Sequence, residues 1–202
     1  GHMDNKYKII ISSGSLYKEA ALDENLTRIS LGTSTGCDIR LRKDYFFKPV
    51  ELTFSNRTEG WNITAGEGLY LSGTGRNHGA NTSLDLMHGD LLEVRYKDSD
   101  GVLFTLEYVI DFDEGHYSFN RYADVTGVNN IYVGTGKNYH ISLHGPYIGN
   151  DSMELVRNGQ DFTLHLLGTT YGIMHNGRKA VDGEIFHNGD FFSVADNFFF
   201  LR

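Results

Sequence analysis

The feature that most constrains this chain is an internal repeat. Ile29-Ser-Leu-Gly32-Thr33 followed by Asp38-Ile-Arg-Leu41 returns about a hundred residues later as Ile131-Tyr-Val-Gly134-Thr135 followed by His140-Ile-Ser-Leu143. Six residues separate Gly32 from Asp38, and six separate Gly134 from His140. Downstream, Trp61-Asn-Ile63 aligns with Phe162-Thr-Leu164, and the Gly89-Asp90 turn with Gly189-Asp190. From the first glycine to that aspartate is 58 residues in one copy and 56 in the other. Such self-similarity means that one structural unit is built twice, so the 202 residues divide into two small domains.

Each copy is a series of short alternating runs separated by Gly, Asn, Asp and Ser, the pattern of half-buried antiparallel strands joined by tight turns. Tyr7/Ile9/Ile11, Leu52/Phe54, Leu69/Leu71 and Phe104/Leu106/Tyr108 are examples in the first copy, and Phe162/Leu164/Leu166 and Phe198/Phe200 in the second. No window sustains a helical period. A one-faced sheet must bury its apolar side against another, so the expected class is all-β, two β-sandwiches in tandem. Residues 1–3 read as the remnant of a cleaved expression tag, 4–110 as the first domain, 111–116 as a short linker and 117–202 as the second domain. The apolar run at residues 198–201, close to the end, suggests a fragment of a longer protein.

Charge narrows the function. Eighteen Lys and Arg against 26 Asp and Glu give a net charge of −8, which repels phosphate backbones and argues against nucleic acid. Residues 1–110 carry a net −3 and residues 111–202 a net −5. The single cysteine, Cys37, cannot close an intramolecular disulfide and reads as a small apolar side chain in a strand, which fits a cytoplasmic setting. No run approaches the roughly 18–20 apolar residues of a membrane span.

Patterns that suggest catalysis fail on their mechanics. Gly134-Thr-Gly-Lys137 ends like a phosphate-binding loop, but Ile131 and Asn138 stand where that loop needs Gly and Ser or Thr. Gly73-Thr-Gly-Arg-Asn-His-Gly79 misses the dinucleotide spacing by one residue. A calcium loop starting at Asp111 would have Tyr122 as its twelfth residue, where a bidentate carboxylate is required. His140 and His144 on one strand would be about 13 Å apart, too far for one metal ion. No enzyme, metal or cofactor is expected. Trp61 and the alternate phenylalanines Phe198 and Phe200 read as core.

The repeated pattern resembles the forkhead-associated (FHA) domain. The carriers are a strand ending in Leu-Gly32 or Val-Gly134, the short strand at Asp38-Ile39 or His140-Ile141, an aromatic strand, Asn176-Gly177, and the Gly89-Asp90 or Gly189-Asp190 turn. The resemblance implies FHA-like β-sandwiches that bind phosphothreonine through an Arg after the first glycine, a Ser-x-x-His segment and the Asn of Asn-Gly. This chain departs from that pattern. Thr33 and Thr135 occupy the Arg positions, and neither 48–54 nor 150–156 contains a histidine. Asn176-Gly177 survives, and Lys137 or Arg178 could replace the Arg, though both read first as solvated charges.

Two degenerate FHA domains in tandem also resemble the N-terminal cytoplasmic region of membrane-bound FtsK/SpoIIIE-type ATPases of type VII secretion. That resemblance implies a phosphate-independent, non-catalytic module docking proteins of a secretion complex or neighbouring subunits, with no cofactor and no membrane insertion of its own. The candidate partner-binding residues are Thr33, Ser34, Thr135, Lys137, Asn176, Gly177 and Arg178. A phosphothreonine reader working through the second copy stays open, as does a carbohydrate-binding or surface sandwich.

Overall fold

The computed structural model describes residues 6–73, 79–111, 123–143, 148, 150–168, 172–195 and 197–201. The expected tag residues 1–3 and all of the expected linker after Asp111 lie outside them, as do Asn77 and His144. The chain is all-β and divides into two compact units, Gly1–His116 and Tyr117–Arg202. Apart from a 3-10 turn at Lys43–Tyr45, no helix occurs among the described residues, so none is long and apolar enough to cross a membrane.

Unit 1 contains β1 (Tyr7–Ser12), β2 (Tyr17–Ala21), β3 (Arg28–Gly32), β4 (Ile39–Arg40), β5 (Glu51–Arg57), β6 (Gly60–Ala65), β7 (Leu69–Gly73), β8 (Ser83–Asp85), β9 (Leu91–Tyr96) and β10 (Val102–Ile110). They form two sheets, ordered β2-β1-β10-β9-β7 and β4-β3-β5-β6-β8. Unit 2 contains β11 (Asn130–Gly134), β12 (Ile141–Ser142), β13 (Ser152–Asn158), β14 (Asp161–Leu167), β15 (Ile173–His175), β16 (Arg178–Lys179), β17 (Ile185–Phe186), β18 (Phe191–Val194) and β19 (Asn197–Phe200). Its sheets run β12-β11-β13-β14-β17 and β16-β15-β18-β19.

The alternation seen in the sequence becomes burial. β10 buries every second residue from Phe104 to Ile110, and Ile9 and Ile11 of β1 face the same interior. Trp61, Phe54, Leu31, Leu52 and Ile63 are among the other residues of the unit 1 core. Ile131, Val133, Leu155, Phe162, Leu164, Phe186 and Val194 form that of unit 2. Fully burying one such side chain is worth about 1.5–3 kcal/mol.

Two core expectations need correction. Phe198, Phe199, Phe200 and Leu201 are all half-buried, and it is Phe199 and Leu201 that pack against the main core, while the Phe200 ring lies 6.0 Å from that of Phe191. Phe199 stacks on Phe192 with ring centroids 4.9 Å apart. Cys37 lies in the turn before β4, half-buried, where the chain has already left its strand.

The repeat is also one of backbone wiring. Asp38 accepts the N–H of Ser30 on β3 at 2.8 Å, and His140 Nδ1 accepts that of Tyr132 on β11 at 3.0 Å. Leu41 N–H then donates to Gly32 and Leu143 N–H to Gly134, each at 2.7 Å. At the other turn, Asp90 and Asp190 accept the N–H groups of Met87 and His187, while Gly89 and Gly189 take φ of 88° and 94°.

Candidate functional site

The loops that follow β3 and β11 carry four of the predicted site residues, and in both units the glycine at their base is imposed by crowding. A Cβ on Gly32 would overlap the carbonyl oxygen of Val50, and one on Gly134 would come within 2.7 Å of Ser152 Cα. The next residue differs sharply between the units. Thr33 is 8% exposed, and its Oγ1 accepts the Val50 N–H at 3.1 Å while its own N–H donates to Val50 O at 2.9 Å. Thr135 is exposed and held by its backbone N–H, which donates to Ser152 Oγ at 3.4 Å. Ser34 is exposed, with Oγ accepting the Gly36 N–H at 3.3 Å. Lys137 is exposed on the loop after β11.

Asn176, Gly177 and Arg178 do not join this group. At the Thr135 end of unit 2, the Asp151 carboxylate accepts the Gly172 N–H at 3.1 Å, and Gly172 O accepts the Ala195 N–H at 2.8 Å. β15 runs away from that end, and Asn176-Gly177 forms the two-residue turn to β16 beyond it, with His175 paired to Arg178. Both turn residues have positive φ, 48° and 84°, as the hairpin requires, and Asn-Gly is the dipeptide that supplies this most readily. The Asn176 carboxamide is buried, and its oxygen accepts the Phe191 N–H at 3.0 Å. Its role here is structural. A turn-forming asparagine and a ligand-binding one look alike in sequence.

Two features escaped the sequence reading. The first is the loop 41–50 of unit 1, beside Thr33. Leu41 and Val50 anchor its ends in the core, Phe46 packs edge-on against Phe104 at 6.0 Å, and Tyr96 Oη donates to Lys48 O at 2.7 Å. Its tip is solvent-facing, with Phe47 102% and Tyr45 45% exposed among Arg42, Lys43 and Lys48. The signal was present, because residues 40–48 hold four cations and three aromatics in a cation-poor chain.

The second is a carboxylate clamp around a buried histidine. His175 reaches Glu184 Oε2 through Nδ1 at 2.5 Å and Asp190 Oδ2 through Nε2 at 2.8 Å, with its ring stacked 3.9 Å from that of Phe186. The three residues lie too far apart in sequence for any local pattern to join them. Among the described residues, no metal-ligand cluster occurs.

The clamp titrates. Burial by itself lowers the His175 pKa, but hydrogen bonds to Asp190 and Glu184 outweigh it and raise the pKa above 6.5. For Asp190, burial opposes ionisation, and the bonds from His175, the His187 N–H and Asn176 hold its carboxyl below 3.8. The His175 contribution to stability is therefore complete below its unfolded value and is lost as pH rises through the folded one. The Asp190 contribution is complete above its unfolded value and is lost as pH falls through the folded one. Unit 2 should be most stable between about pH 4 and 6.5, with the alkaline fall absent in His175→Gln. Urea unfolding across pH, followed by hydrogen exchange of β18 amides, checks this.

No family profile matches the chain, and no curated protein does. Among solved structures the chain is similar to the Slr1951 protein from Synechocystis sp., at 16% identity and a TM-score of 0.39, covering 53% of this chain and 97% of that one. An engineered FHA with a Myc-pTBD peptide gives 14% identity and 0.37, covering 54% and 93%. The N-terminal FHA domain from EssC, a component of the bacterial type VII secretion apparatus, gives 11% identity and 0.31, covering 94% of this chain and 83% of that one. The structures this chain resembles thus include FHA domains, that of EssC among them.

Proposed function

We propose that this chain is a non-catalytic protein-interaction region whose two FHA-like sandwiches have given up phosphate recognition. In this reading it docks components or neighbouring subunits of a type VII secretion machine, as the N-terminal cytoplasmic part of an FtsK/SpoIIIE-type membrane ATPase. The nucleotide chemistry would belong to other domains of that longer protein.

One observation carries the phosphate-independent part. After the glycine, where a phosphate-binding sandwich needs a guanidinium, unit 1 has Thr33 buried and tied twice to Val50, and unit 2 has the uncharged Thr135. A phosphate of charge near −2 calls for charge-assisted, preferably bidentate donors, and a threonine supplies neither. Asn176 is committed to its turn, which removes the amide that the sequence offered instead.

The test is a fluorescence-anisotropy titration with phosphothreonine peptides and their unphosphorylated twins, at two salt concentrations. Equal, weak responses to both sets are expected. Micromolar binding confined to the phosphorylated set would overturn phosphate independence and make unit 2 a phosphothreonine reader.

A further inference from the structure

We propose that the tip of loop 41–50 is a peripheral contact for a bilayer surface bearing anionic headgroups. The proposal is independent of phosphate recognition, since it uses neither Thr33 nor Asn176. A loop contact of this kind crosses no membrane.

Phe47 is the most exposed large apolar side chain among the described residues. A phenyl ring that is 102% exposed gains nothing from its own fold, and its neighbours hold it out. Phe46 is spent on Phe104, Leu41 is in the core, and the Tyr96 hydroxyl both donates to Lys48 O and accepts its N–H at 3.1 Å. The base of the loop is thus fixed while the tip presents Tyr45 and Phe47. Aromatic side chains at a protruding tip suit the headgroup level of a bilayer, where ring and polar groups are both accommodated.

Charge selects the surface. Residues 40–50 contain Arg40, Arg42, Lys43 and Lys48 against the single acid Asp44, in a chain of net charge −8. Asp44 pairs with Arg42 at 3.0 Å, and Asp98 pairs with Lys48. Arg40 and Lys43 have no ion pair among the described residues. The guanidinium of Arg42 also lies 5.5 Å from the Tyr45 ring centre. Cations around an aromatic tip fit anionic headgroups, where each Lys or Arg near the surface adds measurably to affinity.

Area argues against a protein partner for this tip. The two rings of the tip, Tyr45 and Phe47, bury at most about 300–500 Å², whereas a stable protein interface buries about 800 Å² on each side. A flat lipid surface needs no matching pocket, and weak contacts sum when several copies are held together.

The test is co-sedimentation of the 202-residue chain with vesicles of phosphatidylglycerol and phosphatidylcholine in equal parts, and with phosphatidylcholine alone, at low and high salt. Binding to the anionic vesicles, weakened by salt, is expected. Phe47→Ser should reduce it about tenfold, and Arg40→Gln with Lys43→Gln about tenfold or more, with thermal unfolding unchanged because all three side chains are exposed. Three results would overturn the proposal: no binding, equal binding to both vesicle types, or binding indifferent to Phe47→Ser. A salt-sensitive self-association without vesicles, lost in Phe47→Ser, would also overturn it and assign the tip to a second copy of the chain.

Discussion

Replacing Asp190 with alanine is expected to destabilise unit 2 by about 2–3 kcal/mol, the upper part of the range for leaving a buried donor without its acceptor. The carboxylate takes Nε2–H of His175 at 2.8 Å and the His187 N–H at 2.9 Å from the same oxygen. Without it, the imidazole keeps only its hydrogen bond to Glu184 and its stack on Phe186. Asp190→Asn keeps an acceptor and should cost less, about 1–2 kcal/mol. In unit 1 Asp90 closes the same turn through Met87 N–H, and the register of β7 against β9 places Gly73 where His175 stands in unit 2. A loss below about 1 kcal/mol in Asp190→Ala would mean that the clamp contributes nothing beyond the turn. Acceleration of β18 amide exchange in Asp190→Ala reads the loss within unit 2.

The architecture was legible because its causes are local and repeated. Period-two burial marks the strands, and the six-residue spacing from Gly32 to Asp38 and from Gly134 to His140 survives because each far residue accepts a backbone N–H of the strand it left. That requirement is for an acceptor, which is why aspartate and histidine interchange. The misreadings occur where one residue of register decides. After Ala195, with φ of 53°, β19 turns Phe199 and Leu201 toward the main core, and Phe198 and Phe200 lie on its other face. In a strand a one-residue slip exchanges the faces, and composition cannot detect it. The clamp was illegible for another reason. His175, Glu184 and Asp190 come from a strand, a loop and a turn, and only the closed sandwich brings them together. Asn176 was visible but its use was not, since the positive-φ demand of a two-residue hairpin selects the same residue that a ligand site would.

The two threonines that stand where phosphate binding calls for arginine should part company when arginine is restored. Thr33→Arg removes the Oγ1 that accepts the Val50 N–H, leaving a buried donor unsatisfied beside the crowded Gly32, and it forces a guanidinium into a position 8% exposed. An orphaned buried N–H alone costs about 1–3 kcal/mol, and the added charge brings the expected loss to about 3 kcal/mol or more. Thr33→Val separates the terms, keeping the volume and losing only the hydrogen bonds. Thr135→Arg faces none of this, because Thr135 is exposed and bonded through its backbone N–H, which arginine retains. Its stability should stay within about 0.5 kcal/mol of the parent. Urea midpoints, read from Trp61 fluorescence for Thr33 and from β18 amide exchange for Thr135, decide between these outcomes. Thr135→Arg then carries the functional comparison into unit 2 without a folding penalty. If phosphothreonine peptides bind it and not the parent, loss of one guanidinium accounts for the phosphate independence of unit 2. If they bind neither, the rest of the site has gone as well, consistent with Asn176 serving its turn.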